Sequence, residues 1–68
     1  MEAYVERMVD EFNKLEERAS KLNLFITTSE AFQKLPEKKR KLMILQLNAM
    51  RIYEHALNER LALEDTSN

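Results

Sequence analysis

The chain has 68 residues, 44% of them apolar and 34% charged, with a formal net charge of −1. That length allows one domain, and a monomer of this size buries too small a fraction of its surface to leave much margin over chain entropy. The near-neutral balance removes bulk charge as a means of recruiting nucleic acid, the composition is that of a folded chain, and the absence of cysteine excludes disulfides, thiolate catalysis and thiolate metal sites.

The first element is an amphipathic helix. Met1, Val5, Met8, Phe12, Leu15, Ala19, Leu22 and Ile26 recur at alternating steps of four and three, the spacing of an apolar seam that needs a partner helix. Because the chain has no glycine, its breaks fall to Asn, Thr, Ser and the single Pro36. Lys21 and Asn23 predict an end near residue 23, so the helix is expected over about 2–23. Acidic Glu2, Glu6, Asp10 and Glu11 stand where a signal peptide would be basic and then apolar, and no apolar run has the length of a membrane span. A cytoplasmic location is the expectation.

Thr27, Thr28 and Ser29 offer N-cap hydroxyls, with Glu30 at capping-box spacing from Thr27, which predicts a short helix over about 28–34. Pro36 then suits the first position of a second long helix, where its missing N–H would be unpaired in any case. That helix is expected over about 36–63, leaving 64–68 as a frayed polar tail.

The second long helix has an apolar arc too wide for one neighbour. At about 100° per residue, Leu42, Leu45, Ala49, Ile52, Ala56 and Leu63 form one stripe, and Met43, Met50, Leu57 and Leu61 form another. One stripe suits the first helix in an antiparallel hairpin, and the other is left for a second copy unless the short helix and Phe25 cover it. Met8, Phe12, Met43, Met50, Leu57 and Leu61 are the expected contacts between copies, with methionine supplying adaptable packing. Between the stripes lies a polar column at seven-residue steps, Gln46, Tyr53 and Arg60. It either sets register across an interface or contacts a polar ligand, since unpaired polar groups in an apolar arc are costly. Tyr4, Arg7, Glu11 and Arg18 flank the seam of the first helix, with Arg7 and Glu11 spaced for an i,i+4 ion pair.

A basic run, Lys34, Lys38, Lys39, Arg40 and Lys41, sits at the start of the second long helix, where cations oppose the macrodipole. An anion near Pro36 would resolve that conflict; a solvated cationic face is the plainer reading. Catalysis finds little support. His55 is the single histidine, without Cys, Ser or a second His at useful spacing, and Glu16 and Glu17 point apart on a helix. Neither a metal nor a cofactor is expected.

Three blocks carry a resemblance: Tyr4-Val5-x-Arg7-Met8-x-x-Glu11; Lys21-Leu22-x-x-Phe25-Ile26 with Ser29-Glu30-Ala31-Phe32; and Gln46-Leu47-x-Ala49-Met50-x-x-Tyr53-x-x-x-Leu57-x-x-Arg60-Leu61. Together they resemble the small helical proteins of crAss-like and other tailed phages, over almost the whole chain. That group is similar in size and helical build to the phage anti-CBASS sponges, oligomers that sequester cyclic dinucleotide or trinucleotide immune signals. The resemblance implies a phage anti-defence protein acting without catalysis in the host bacterial cytoplasm during infection.

The resulting expectation is an all-α antiparallel helical hairpin with a short central helix, assembled as a homo-oligomer. Its candidate ligand contacts are Tyr4, Arg7, Gln46, Tyr53 and Arg60, with Lys38, Lys39 and Arg40 as secondary phosphate partners. Tyrosines would stack on bases, arginines would take phosphates, and glutamine would read a base edge. The rival expectation is a protein-interaction module whose spare stripe binds a host or phage protein as a helix in a groove.

Overall fold

The computed structural model describes residues 2–65 and is helical throughout its regular structure: α1 is Ala3–Thr28, α2 is Glu30–Gln33 and α3 is Glu37–Asp65. Met1 of the apolar seam and residues 66–68 of the expected tail lie outside the described residues.

α1 continues five residues past its expected end at Asn23. The seam itself runs on to Leu22 and Ile26, both half-buried, so packing favours helix where local punctuation suggested a stop. The threonine hydroxyls then act backwards rather than forwards. Thr27 Oγ1 donates to the Asn23 carbonyl at 2.8 Å and Thr28 Oγ1 to the Leu24 carbonyl at 2.7 Å, which uses both as back-bonding groups and not as caps of the next helix. Ser29 breaks the helix with extended backbone, and its Oγ accepts from the Ala31 amide at 3.1 Å, so Ser29 rather than Thr27 caps α2.

α2 is a single turn. The Lys34 amide reaches the carbonyls of Glu30 and Ala31 at 3.2 Å each, and Leu35 N–H donates to Phe32 O at 3.1 Å. Pro36 lies one position outside α3, and its carbonyl accepts the first bond of the helix from the Arg40 amide at 3.1 Å. At the other end, α3 carries the chain through residues 64 and 65, which had been expected to fray, because Tyr4 of α1 anchors Glu64.

α1 and α3 pack antiparallel. Met8, Leu15 and Leu57 form the buried centre, with Phe12, Met50 and Leu61 packed against it. Leu57 is only 1% exposed, a burial worth about 1.5–3 kcal/mol for a leucine side chain. These contacts correct the expected interface: Met8, Phe12, Met50, Leu57 and Leu61 are spent inside the hairpin, and half-buried Met43 continues the same face of α3. The stripe left open is the other one, with Leu42 at 56%, Leu45 at 62%, Ile52 at 72% and Leu63 at 70% exposure. α2 does not cover it. Phe32 instead meets Phe25 of α1 edge-on, with ring centroids 6.0 Å apart and planes at 83°.

The hairpin is long and thin, 51 × 15 × 14 Å, with a radius of gyration of 15.3 Å. A compact chain of this length would have about 11 Å. Its accessible surface is 5407 Å², against about 4,500 Å² for a compact monomer of the same mass. Two helices alone leave α3 apolar on two sides and closed on one.

Candidate functional site

The side chains singled out in the sequence are distributed along the hairpin rather than gathered in a cavity. Taking the packed face of α3 as Met43, Leu47, Met50, Glu54, Leu57, Leu61 and Glu64, helical periodicity puts Gln46, Tyr53 and Arg60 along one flank of it. All three are exposed. At 1.5 Å per residue, Gln46 and Arg60 stand about 21 Å apart along the axis, with Tyr53 midway. The column is a row, and one small molecule bound to one chain would not span it.

Tyr4 and Arg7 lie one turn apart in the first turns of α1, both exposed, at the open end of the hairpin. The Tyr4 phenol donates to Glu64 Oε2 at 2.9 Å, and this hydrogen bond, with the nearby carboxylate charge, pushes the phenol above its ordinary value. Arg60 is one helical turn from Glu64, so Tyr4 and Arg60 share the open end. Arg7 and Glu11 do not form the ion pair their spacing allows; α1 instead pairs Asp10 with Lys14 at 2.9 Å and Glu17 with Lys21 at 3.0 Å. The Lys21 ammonium, hydrogen-bonded to Glu17, holds that carboxyl below the ordinary carboxylate value. Arg60 has no ion-pair partner among the described residues.

The basic run is at the opposite, closed end. Lys38 and Lys39 are exposed, whereas half-buried Arg40 donates from Nε to the Leu35 carbonyl at 3.1 Å and so stitches the turn between α2 and α3. Within one chain Lys39 and Arg60 are about 31 Å apart along α3, which separates the secondary phosphate partners from the primary set.

Sequence reasoning missed a second polar feature. Glu54 occupies an interior position of the packed face between Met50 and Leu57, and its side chain is only 13% exposed. Arg51 Nη1 meets its two carboxylate oxygens at 3.0 and 3.4 Å. Both border a shallow, open groove completed by Phe12, His55 and Asn58 on the flank opposite Tyr53. The signal was present in the four-three spacing of Met43, Leu47, Met50, Glu54, Leu57 and Leu61, where Glu54 is the one charged member. The apolar stripe of Met43, Met50, Leu57 and Leu61 by itself passes over Glu54.

The described residues contain no group of His, Cys, Asp or Glu placed to hold a metal ion, and no helix long and apolar enough to cross a membrane. Exposed tyrosine, arginine and glutamine on one flank, beside an open apolar stripe, mark the outer face of a small helical hairpin protein. The chain belongs to the Sequestin family, whose model matches residues 2–63. The family name denotes sequestration, the act of holding a molecule rather than converting it. No curated protein and no solved structure matches the chain.

Proposed function

We propose that this protein sequesters a small anionic nucleotide signal of the cyclic dinucleotide or trinucleotide class, without turning it over, at interfaces between copies of the chain. In this reading it is a phage anti-defence protein that works in the bacterial cytoplasm during infection. The observation that carries it is the exposed row of Gln46, Tyr53 and Arg60, in which the Arg60 guanidinium has no carboxylate partner among the described residues. A phosphate would take that guanidinium in a bidentate pair, a base would stack on Tyr53, and the Gln46 amide both donates and accepts as a base edge requires. Membership of the Sequestin family supports the same reading. Holding a signal at about 1 nM Kd corresponds to roughly 12 kcal/mol, attainable by a site enclosed between subunits.

The exposed stripe on α3 favours one alternative, an interaction module that takes a host or phage protein against Leu42, Leu45 and Ile52. A thermal-shift titration separates the two. Cyclic di- and trinucleotides and cyclic ADP-ribose compounds are added to wild-type and Arg60→Leu protein. Ligand at 100 times Kd adds about 2.7 kcal/mol, roughly 10 °C or more for a domain this small, to the wild type and not to the variant. Absence of any shift in the wild type would transfer the assignment to the protein-partner reading.

A further inference from the structure

The open stripe of α3 is itself a second four-three repeat. Leu42, Leu45, Ala49, Ile52, Ala56 and Leu63 follow steps of three, four, three, four and seven, with Glu59 at the one position passed over, so this helix carries two coiled-coil seams on separate faces. α1 fills the first seam. The outward face of α1 offers no counterpart, since Arg7, Asp10, Lys14, Glu17 and Lys21 occupy it, so what fits the second seam is a helix with the same repeat.

We infer that α3 packs antiparallel on α3 of a second copy, about a two-fold axis passing near Ile52 and Tyr53, and that this pairing assembles the polar row into a two-chain site. Three features select this occupant and this direction. The stripe is centred between Ile52 and Tyr53, so the antiparallel arrangement sets Leu42 against Leu63 of the partner subunit and leaves no apolar end uncovered. Ala49 and Ala56 sit symmetrically about the same point, opposite one another across the axis, where small side chains let two backbones approach closely. α3 is also charge-polarised, with Lys38, Lys39 and Lys41 at its start and Glu59 and Glu64 near its end. Antiparallel pairing therefore brings the basic end of one helix to the acidic end of the other, whereas parallel pairing stacks like charge on like charge and aligns the macrodipoles.

The consequence for the row depends on the sequestration reading. Gln46 and Arg60 are equidistant from Tyr53, seven residues to either side. Relative to the second seam they occupy one flanking column, and in an antiparallel pair that column faces its own copy. Each Gln46 then lies within one residue of Arg60 of the partner subunit across the seam, and the two Tyr53 rings flank the axis. Side chains spread over about 21 Å in one chain thereby converge as complementary pairs, a base-edge reader beside a phosphate binder. Each pair lies about 10 Å to one side of the axis, so the dimer offers two symmetry-related sites, each suited to a small anionic nucleotide that presents a base to Tyr53 and Gln46 and a phosphate to Arg60 of the partner subunit.

Because the natural chain has no cysteine, single-cysteine variants test the geometry directly. Light scattering on the wild-type protein at micromolar concentration is expected to give an even number of chains. Under mild oxidation, Ile52→Cys, next to the axis, is expected to form a disulfide-linked dimer by itself. Leu42→Cys is expected to stay unlinked alone and to cross-link when mixed with Leu63→Cys. Rapid self-linking of Leu42→Cys with none to Leu63→Cys would mean parallel pairing and overturn the inference, as would a wild-type monomer whose Ile52→Cys variant does not link. Tyr53→Ala, which leaves the apolar stripe intact, is expected to retain the dimer mass and to abolish the thermal shift given by a cyclic dinucleotide. A cross-linked antiparallel dimer that binds no nucleotide leaves the pairing standing and rejects sequestration; nucleotide binding by a chain that never pairs does the reverse.

Discussion

The phenol of Tyr4 donates a 2.9 Å hydrogen bond to Glu64 Oε2, joining residues separated by 60 positions in sequence and closing the open end of the hairpin. The first turn of α1 and the last turns of α3 would otherwise fray, since each ends in backbone groups without helical partners. The bond also places an aromatic ring and the Arg60 guanidinium at the same end of the molecule.

This bond makes the alkaline behaviour of the protein specific. The Tyr4 phenol is raised above its ordinary value of 10.0, first by the hydrogen bond to Glu64, then by desolvation and by the Glu64 and Glu2 charges. A group whose folded value lies above its unfolded one contributes stability below the unfolded value and loses that contribution as pH rises through the folded value. The contribution is therefore present at neutral pH and disappears only above about pH 10. In a Tyr53→Phe background, ultraviolet titration should find the remaining tyrosine ionising above the ordinary value, and adding Glu64→Ala should bring it back. Identical midpoints with and without Glu64 would show that the bond does not persist in solution.

Glu54 lies in the apolar seam with Arg51 as its partner, and the two should respond unequally to replacement. Arg51→Ala leaves a carboxylate at 13% exposure without its ion pair, which should cost about 1–3 kcal/mol. Glu54→Leu restores an unbroken apolar seam between Met50 and Leu57 and should raise Tm by several degrees, since replacing a poorly solvated charge with a hydrophobe removes a desolvation cost. Chemical denaturation of the two variants checks both signs. A destabilised Glu54→Leu protein would indicate that the carboxylate sets helix register here.

Leu57 and Leu42 are the same residue type on α3, one buried against α1 and one exposed, and they separate folding from assembly. Leu57→Ala removes a fully buried side chain and should cost about 2–4 kcal/mol, enough to unfold much of a small hairpin at any protein concentration. Leu42→Ala deletes a side chain exposed in the single hairpin, so its effect should appear only where copies associate, as a Tm difference that shrinks on dilution. Thermal melts of both variants across a hundredfold concentration range distinguish them. A concentration-independent loss for Leu42→Ala would place that residue in the hairpin core instead.

The helical character of the chain and the seam of α1 were legible without coordinates, because a four-three repeat sustained from Val5 to Ile26 is satisfied only by a helix with one buried face. Two apolar stripes on α3, with Gln46, Tyr53 and Arg60 between them, followed from the same periodicity. Which stripe faces α1 did not. Both have coiled-coil spacing, and the difference lies in the packing of Met8 and Leu15 against Leu57 and in the Tyr4–Glu64 bond, which exist only once α1 and α3 lie side by side. The helix boundaries likewise needed tertiary contacts. Asn23 and Thr27 signalled a stop and a cap on local grounds, but packing of Leu22 and Ile26 carries α1 through both, and the hydroxyls turn back onto the carbonyls behind them. Local propensity at such positions amounts to about 1 kcal/mol or less per residue, and the burial of one further turn of an apolar seam outweighs it.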